Sequence, residues 1–482
     1  MKRLVCAVLT AVAMIVAPMA QAENVTVDQA KDAAAHYLQH NTSLTRITPE
    51  QLTLAHQWNN EELGIPSMYL FTAPTEGWII MAATTVMDPV VAFTDEGVFD
   101  GRMAPQQEWW LDGYNEMVCE AQMMDQEKGL DDHQKWLVLA NHNLVGSKAT
   151  SYLMKTRWDQ GGPSGSDYNI FSPVVNDSVA PTGCVATALA QICYYYKFPV
   201  QPKGTSVYYN SRDNGARMAI NFDTVAPLDY SIMPYEIKAS TTLERREEVS
   251  RLAFYVGMSV KMQYGGSLSG STDQNAVTGM KTNMKYARGT IINRKSAGND
   301  TSFVNQIRRE LMGNRPVYMS GASSGGGEHS GGHAWVCDGY DENDASQFHM
   351  NWGWGGSGNA FYNLSTNNLS ISGGYNFRMS QSAIMGLIPP IDSTDVPLVG
   401  VTEVENSTFL GNPYPNPATL TVMLPYSIRE AAELQIYGIS GRLIESRRLQ
   451  AGDGEVTLRV DALPAGIYIY RMGDAYGKFI VR

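Results

Sequence analysis

The chain has few cysteines for its length, five among 482 residues, and Cys6 falls inside an apolar run near the N-terminus. A secreted scaffold held together by disulfides carries a much denser set, so that class of protein is excluded. Cys193 and Cys337 are predicted to be buried small apolar residues. A bridge between them is the alternative, although their spacing does not favour it.

Basic residues are scarce as well, since 36 lysines and arginines stand against 48 aspartates and glutamates and give a formal net charge of −12. An acidic surface without a basic stripe repels phosphate backbones, so nucleic acid is excluded as a partner. The chain also lacks an H-E-x-x-H motif, a cysteine cluster with zinc spacing and a Gly-rich phosphate loop before a helix. We therefore predict no metal site and no cofactor.

Long apolar runs are absent after the first residues. The chain begins Met-Lys-Arg, continues with an apolar run from Leu4 to Pro18 and reaches an Ala-x-Ala pattern that ends at Ala22. This is the pattern of a secretory signal peptide, predicted over residues 1–22, and the run is too short to span a bilayer. The remainder, about 460 residues, has the length of roughly three domains.

The segment PTGCVATALAQ, residues 181–191, carries the strongest signal. Apolar residues recur there at helical spacing: Val185, Ala188, Leu189, Ile192 and Tyr196. The spacing predicts a helix with Cys184 in its first turn. Free backbone N–H groups at a helix start stabilise negative charge, so the pKa of this thiol is predicted to lie below its ordinary value of about 8.5. The pattern indicates a cysteine nucleophile, and a buried structural cysteine is the alternative.

A second segment, GGHAWVCDGYDEN followed by FHMNWGWGG, predicts a β-hairpin over residues 331–356. His333 begins one arm, and Asn351 ends the other. Antiparallel pairing brings these ends together, so the imidazole can take the thiol proton while the amide holds the ring in the useful tautomer.

PTGCVATALAQ, GGHAWVCDGYD and NWGWGG, with WDQGGPSGSDYN at residues 158–169, resemble the signatures of the streptopain family of secreted cysteine peptidases. The resemblance covers about residues 156–390 and implies an α+β, papain-like catalytic domain of two parts with an antiparallel sheet. It also implies a role for each matched residue: Gln160 as oxyanion donor, Cys184 as nucleophile, His333 as general base, Asn351 as orienter of the imidazole and Trp352 as its shield.

The substrate pocket is predicted by the same resemblance. YGGSLSGS, residues 264–271, resembles the family loop beside the pocket, and its register leaves Ser269 and Ser271 as alternatives. Gly332 is predicted to expose its backbone to the substrate chain, because glycine permits close approach. The family resemblance implies an apolar pocket and a preference for a bulky hydrophobic side chain next to the scissile bond.

Residues 23–145 precede the catalytic part and predict a small α+β unit. Thr26 and Gln29 form a capping-box pattern before an amphipathic helix, and strand-like runs follow. The order of these elements resembles the inhibitory propeptide of streptopain-type zymogens, with a permanent structural domain as the alternative. Maturation cleavage is predicted between Asn143 and Thr156, where Lys148 and Lys155 are candidate sites. The catalytic domain is then predicted over residues 146–390.

Residues 391–405 hold Pro, Asp, Ser and Thr without periodicity and predict a linker. Residues 406–482 contain short alternating runs separated by turn residues, which predict a small β-sandwich. NPYPNPA, YGISGRLI and LPAGIYIYRM resemble the sorting domain of the type IX secretion pathway; a carbohydrate-binding or adhesive module is the alternative. The resemblance implies export through the periplasm of a Gram-negative bacterium, to the medium or the cell surface.

The sequence therefore predicts a secreted cysteine endopeptidase made as a zymogen. Its predicted partners are protein or peptide substrates, its own propeptide as intramolecular inhibitor, and the outer-membrane secretion machinery. Two other functions stay open: a papain-like acyl transferase, such as a transglutaminase or deamidase, and a surface adhesin without catalysis.

Overall fold

The fold was determined as a computed structural model, which describes residues 24–99, 101, 103, 105–123, 130–140, 150–162, 167–294, 300–323, 331–364, 381–390, 409–410, 413, 418–428, 430–438, 442–473 and 475–482. The predicted signal peptide, the candidate cleavage residue Lys148, the linker and most of NPYPNPA lie outside these residues. The described chain forms an N-terminal α+β unit, a central α+β domain and a C-terminal β-sandwich, which confirms the predicted fold class.

The N-terminal unit has a four-stranded sheet between helices. Its elements are α1 (Val27–Asn41), a 3₁₀ turn (Pro49–Gln51), β1 (Thr53–Asn60), β2 (Ile65–Thr72), β3 (Trp78–Ala82), β4 (Val90–Thr94), α2 (Pro105–Met123) and α3 (Leu130–Ala140). The predicted capping box starts α1, because Thr26 Oγ1 accepts from the Gln29 N–H and Gln29 Oε1 accepts from the Thr26 N–H. Helices α1 and α3 share one core with the sheet, and α2 shares another with its opposite face.

The central domain has helices and an antiparallel sheet, as the resemblance implied. Its elements are β5 (Thr150–Tyr152), β6 (Val174–Val175), β7 (Ser178–Val179), α4 (Cys184–Tyr196), β8 (Thr205–Asn210), β9 (Ala216–Asn221), α5 (Leu243–Ser259), α6 (Asp273–Thr282), β10 (Thr290–Asn293), α7 (Asp300–Met312), β11 (Val317–Ser323), β12 (Gly331–Asp341), β13 (Gln347–Asn351), β14 (Ala360–Asn363) and β15 (Gln381–Met385). The predicted helix at Cys184 and the predicted hairpin, β12–β13, are both present.

One antiparallel sheet joins the first two units. Among the described residues it has eleven strands in the order β1-β2-β3-β4-β14-β13-β12-β11-β15-β10, with β5 beside β12. The junction is the pairing of β4 with β14, where Phe93 lies opposite Phe361 and Ala92 opposite Tyr362. The sheet therefore crosses the predicted boundary at residues 145/146.

Strand β12 is buried on both faces, and its alternation assigns each side chain to one of two cores. Ala334 and Val336 belong to the core that includes α4, α5 and α6. Trp335 and Cys337 belong to the core on the other face, which also contains α2 of the N-terminal unit. Side chains on one face of β12 therefore pack against the helices of the central domain, and those on the other face pack in the core that contains α2.

The C-terminal unit is a β-sandwich with a core of its own. Its strands are β16 (Phe409–Leu410), β17 (Thr421–Ile428), β18 (Ala432–Gly438), β19 (Leu443–Leu449), β20 (Gly452–Arg459), β21 (Gly466–Met472) and β22 (Ala475–Val481). They form two sheets, β16-β17-β20 and β19-β18-β21-β22. Each strand predicted from the alternating runs overlaps an observed strand.

The cysteines within the described ranges are all free thiols. Cys193 and Cys337 are buried in different cores, so the prediction of buried small residues is confirmed and the bridge between them is absent. Across the described ranges, no helix combines the length and apolar character that crossing a bilayer requires.

Candidate active site

Helix α4 begins at Cys184, and a glycine makes this start feasible. Gly183 has φ of +84°, and a Cβ built on it would lie 2.8 Å from Met262 Sδ and 2.9 Å from the Ser269 carbonyl oxygen. Both the backbone angle and the crowding exclude a larger residue. The turn before the helix therefore places Cys184 against the 262–271 loop and β12.

The pKa of the Cys184 thiol differs from the prediction. Burial raises it above the ordinary value, and the Asp273 carboxylate raises it further, although the backbone N–H groups of Ala334, Val185 and Cys184 itself lower it. The expectation of a lowered pKa was wrong for this state because desolvation disfavours the thiolate more than the helix start favours it. The thiol is protonated here.

His333 lies on the other face of β12. Its ring stacks with Trp335, at 6.3 Å between ring centroids, and with Trp354 at 5.8 Å and Trp352 at 6.3 Å. The backbone N–H of the neighbouring residue, Ala334, is instead close enough to the Cys184 thiol to lower its pKa. No hydrogen bond between this thiol and the imidazole occurs among the described residues. The strand therefore separates the proposed base from the proposed nucleophile.

The His333 ring is neutral, and its tautomer is defined. Nε2 lies 2.8 Å from the carbonyl oxygen of Trp352, and because a carbonyl only accepts, Nε2 carries the proton. Burial lowers the pKa of His333 to about 4, although the hydrogen bond to Trp352 opposes this shift. At neutral pH neither member of the expected thiolate–imidazolium pair is charged.

Asn351 lies on the same side of the sheet as α4. Its Nδ2 donates to the carbonyl oxygen of Thr156 at 2.7 Å, and its Oδ1 accepts from Gln191 Nε2 at 3.2 Å and from the Gly353 N–H at 3.2 Å. The hairpin thus brings the ends of β12 and β13 together as predicted, but the imidazole bonds the backbone of the next residue, Trp352, instead of this amide.

Gln160 is held close to the start of α4 by its main chain. Its carbonyl oxygen accepts from the Thr182 N–H at 2.9 Å and from Thr182 Oγ1 at 3.3 Å, which ties it to the turn before Cys184. The residue is buried, with 5% of its surface exposed. The main chain of Gln160 is therefore fixed beside the turn that leads into Cys184.

The residues predicted to line the substrate pocket are Ser269, Ser271 and Gly332, and both serine hydroxyls make hydrogen bonds within the protein. Ser269 is buried, with its Oγ accepting from the Gly265 N–H at 3.4 Å, and Ser271 Oγ donates to the Val260 carbonyl. Both hydroxyls therefore stabilise their own loop. Gly332 is exposed, and a Cβ there would lie 3.4 Å from the Gly321 carbonyl oxygen, an ordinary contact. The protein itself leaves room for a Cβ at Gly332, and the close approach of a substrate chain to this residue stays a prediction.

Several residues of the site were not predicted. They are Thr156, Thr182, Gln191 and Trp335. Of these, Gln191 left a signal, because it is a polar residue in a helix whose neighbours are otherwise mostly apolar. The others are defined by tertiary contacts that no local pattern records. No cluster of His, Cys, Asp or Glu suited to a metal ion occurs in the described part of the chain.

The N-terminal unit reaches the tryptophans around His333 through Trp110 of α2. Its ring centroid lies 5.8 Å from that of Trp352 and 6.2 Å from that of Trp335. Trp110 is fully buried in the shared core. The surroundings of the imidazole are thus built in part by residues that precede the central domain.

Three family models match successive parts of the chain. Residues 22–118 match the Spi protease inhibitor, residues 158–362 the Peptidase C10 family, and residues 412–482 the secretion system C-terminal sorting domain. The match to the Peptidase C10 family lies within the central domain and supports a cysteine-type peptidase. An inhibitor-type domain precedes this peptidase, and a sorting domain that indicates export to the medium or the cell surface follows it.

Two similar proteins are a thiol protease and a streptopain. The chain is 28% identical over 388 residues to the thiol protease/hemagglutinin PrtT of Porphyromonas gingivalis, covering 77% of this chain and 43% of that protein. It is 27% identical over 383 residues to streptopain of Streptococcus pyogenes, covering 75% and 91% respectively. The chain thus spans less than half of the first relative and most of the second.

A solved structure supports the fold. Prointerpain A from Prevotella intermedia, determined as a fragment, superposes with a TM-score of 0.55 at 22% identity, covering 71% of this chain and 99% of that one. The likeness supports a papain-like fold for the peptidase together with its leading domain.

Proposed function

We propose that the chain is a secreted cysteine endopeptidase precursor in which Cys184 attacks the peptide carbonyl and His333 handles the proton. The observation that carries this is the packing of α4 against β12, which brings the backbone N–H of the residue after His333 close enough to Cys184 to lower the pKa of its thiol. The imidazole of His333 therefore reaches the thiol of Cys184 when its side chain moves from one face of β12 to the other.

Each step has a residue suited to it. His333 accepts the thiol proton, the sulfur forms a bond to the carbonyl carbon, and the carbonyl electrons move to oxygen. The Gln160 side chain and the Cys184 N–H stabilise that oxyanion, each contributing about 3 kcal/mol. Protonated His333 then gives its proton to the leaving amine. Water, deprotonated by the same imidazole, releases the acyl group and restores the thiol.

The described conformation is the inactive precursor. His333 is stacked among tryptophans on the face opposite α4, and Trp110 of the leading unit packs against two of those rings. Residues 23–145 therefore act as an intramolecular inhibitor that stabilises the displaced imidazole. Release of α2 from the shared core opens space in which the ring can turn toward Cys184.

The maturation bond lies before β5. Leu153 and Met154 donate their N–H groups to the backbone and side chain of Asp338, at 2.8 and 3.0 Å, and the Thr156 carbonyl holds Asn351. Cleavage at Lys155 would disrupt this attachment, whereas cleavage ahead of β5 leaves it intact. We therefore assign residues 146–390 to the peptidase, 391–405 to a linker and 406–482 to the sorting domain, which directs the protein from the periplasm to the outer-membrane machinery.

The test compares matured wild-type protein with two cysteine variants. Wild-type protein should hydrolyse casein and be labelled by an epoxide thiol inhibitor, while Cys184→Ala should lose about 10⁶-fold in kcat and the label. Cys193→Ala is the matched control, since that buried thiol lies on the same helix, and it should keep both properties. Hydrolysis by Cys184→Ala at the wild-type rate, or amine incorporation in place of hydrolysis, would refute the proposal.

A further inference from the structure

Gln191 is a buried polar residue on the helix that carries the nucleophile. It follows Cys184 by seven positions, which is two helical turns, so both residues lie on one stripe of α4. It has no exposed surface, and Val185, Ala188, Leu189 and Ile192 around it belong to the apolar core. Burying an amide in such surroundings costs free energy unless it is hydrogen-bonded.

The amide of Gln191 makes one hydrogen bond among the described residues, and its acceptor is Asn351 Oδ1. Gln191 Oε1 is buried without a hydrogen-bond partner in the same part of the chain. A core residue placed only for stability would be better replaced by Leu or Met. The side chain is therefore best explained by what it does to Asn351.

The orientation of the Asn351 amide is unambiguous. The Gly353 N–H can only donate and the Thr156 carbonyl can only accept, so the end facing Gly353 is oxygen and the end facing Thr156 is nitrogen. Gln191 reinforces this orientation by presenting Nε2 to the same oxygen. The carbonyl of Asn351 is thus fixed on the α4 face of the sheet, although His333 is still on the other face.

We propose that Gln191 is a positioning residue, which holds the Asn351 carbonyl ready to accept the Nε2–H of His333 once the imidazole has crossed to the α4 face. This inference rests on the roles proposed above for Asn351 and His333. The precursor already carries the proton on Nε2, so the exchange replaces one acceptor, the Trp352 carbonyl, by another, Asn351 Oδ1, where the imidazole takes the position that the Gly353 N–H now occupies. Asn351 itself does not have to move, because α4 and the Thr156 segment already hold its amide.

The decisive experiment is a double-mutant cycle on the matured full-length product. Gln191→Met keeps the length of the side chain and removes the donor, and we expect kcat to fall about tenfold with KM unchanged, as for the loss of one buried hydrogen bond. In an Asn351→Ala background the same change should cost less than twofold, because Gln191 acts through that amide. The pH below which kcat falls should also shift in Gln191→Met, since the imidazolium loses part of its orientation.

Two further variants keep the result interpretable. Cys193→Ala removes a buried group from the same helix without contact to Asn351 and should leave kcat within twofold of wild type. If Gln191→Met does not fold, Gln191→Glu is measured instead, because its protonated form restores a donor of the same shape; kcat should then be retained at low pH and fall as the carboxyl ionises.

The outcomes separate this inference from the proposed function. A tenfold loss for Gln191→Met that persists in the Asn351→Ala background overturns it, because Gln191 would then act independently. Wild-type kcat in Gln191→Met, with a loss in Asn351→Ala, also overturns it and leaves the role of Asn351 standing. Full activity in Asn351→Ala overturns both roles, while the nucleophile is tested separately by inhibitor labelling of Cys184.

Discussion

The two domains that flank the peptidase are attached to it in different ways. The N-terminal unit continues the central sheet through the β4–β14 pairing and shares a core with β12, whereas the C-terminal sandwich has a core of its own. A domain that shares a core with its neighbour can change that neighbour's conformation. A domain with a separate core can be attached without affecting it. The difference is consistent with the match to an inhibitor domain at one end and to a sorting domain at the other.

The largest expected effect comes from breaking the shared core at Trp110. Trp110→Ala should cost about 3–5 kcal/mol in the free energy of unfolding of the precursor, as a deleted buried tryptophan does. Because Trp110 packs on Trp335 and Trp352, it should also raise the activity of uncleaved precursor toward a small peptide. Denaturant titration and a fluorogenic peptide assay measure the two effects.

Trp136→Ala is the matched control for that variant. Trp136 is buried in the core on the opposite face of the N-terminal sheet, so its loss should destabilise the unit without loosening the tryptophans around His333. Equal activation of the precursor by both variants would show that any destabilisation of the leading unit suffices, and the specific role of Trp110 would be lost.

The separate core of the sandwich predicts the opposite behaviour. Phe479 is buried there and stacks on Tyr468 at 5.5 Å, so Phe479→Ala should cost about 3–5 kcal/mol in the sandwich while the matured enzyme keeps its kcat. Differential scanning calorimetry should show one transition moving and the other unchanged. Lys478→Ala, on the exposed neighbouring residue, should move neither; a shift of both transitions in Phe479→Ala would contradict the separation.

A smaller effect is expected from a carboxyl group where the two units meet. Asp341 is buried, and Tyr37 of α1 donates to it at 3.3 Å, while Asp344 lies beside it and Arg308 donates to its carbonyl. Burial raises the pKa of Asp341 to about 7, and the charge of Asp344 adds to this. The protonated form is therefore favoured in the precursor.

The sign of the pH dependence follows from that raised pKa. Below about pH 4 the group is protonated in folded and unfolded chains alike, and its stabilising contribution is fully present. Between about pH 4 and pH 7 the unfolded chain releases this proton first, so stability falls by up to about 1.4 kcal/mol per pH unit. Asp341→Asn should flatten this dependence in denaturant titrations of the precursor, and Glu342→Gln, at the exposed neighbour, should not. A slope unchanged in Asp341→Asn would contradict the assignment.

Local sequence patterns were sufficient to predict the helix and the hairpin that carry the site. The helix at Cys184 follows from apolar residues at helical spacing, the β12–β13 hairpin from alternation around a turn, and the start of α1 from its capping box. These features depend on residues a few positions apart, which is the range over which a single sequence is informative.

Contacts between residues far apart in the chain could not be predicted from the sequence. The β4–β14 pairing joins Phe93 to Phe361, and no periodicity within either strand selects its partner. The position of His333 failed to follow from the sequence for the same reason, because both faces of β12 are apolar and either can hold a ring. The prediction of a lowered thiol pKa was wrong because the burial of Cys184 depends on β12 and the 262–271 loop. The helix pattern contains no information about either.

The attachment of residues 153–156 to the central sheet has a practical consequence for protein engineering. Residues 153–156 form hydrogen bonds to Asp338 and to Asn351. A purification tag or fusion partner should therefore be attached before this segment and not within it. Recombinant forms that begin after Thr156 would lack the carbonyl that supports the Asn351 amide, whereas a tag joined ahead of β5 would leave it in place.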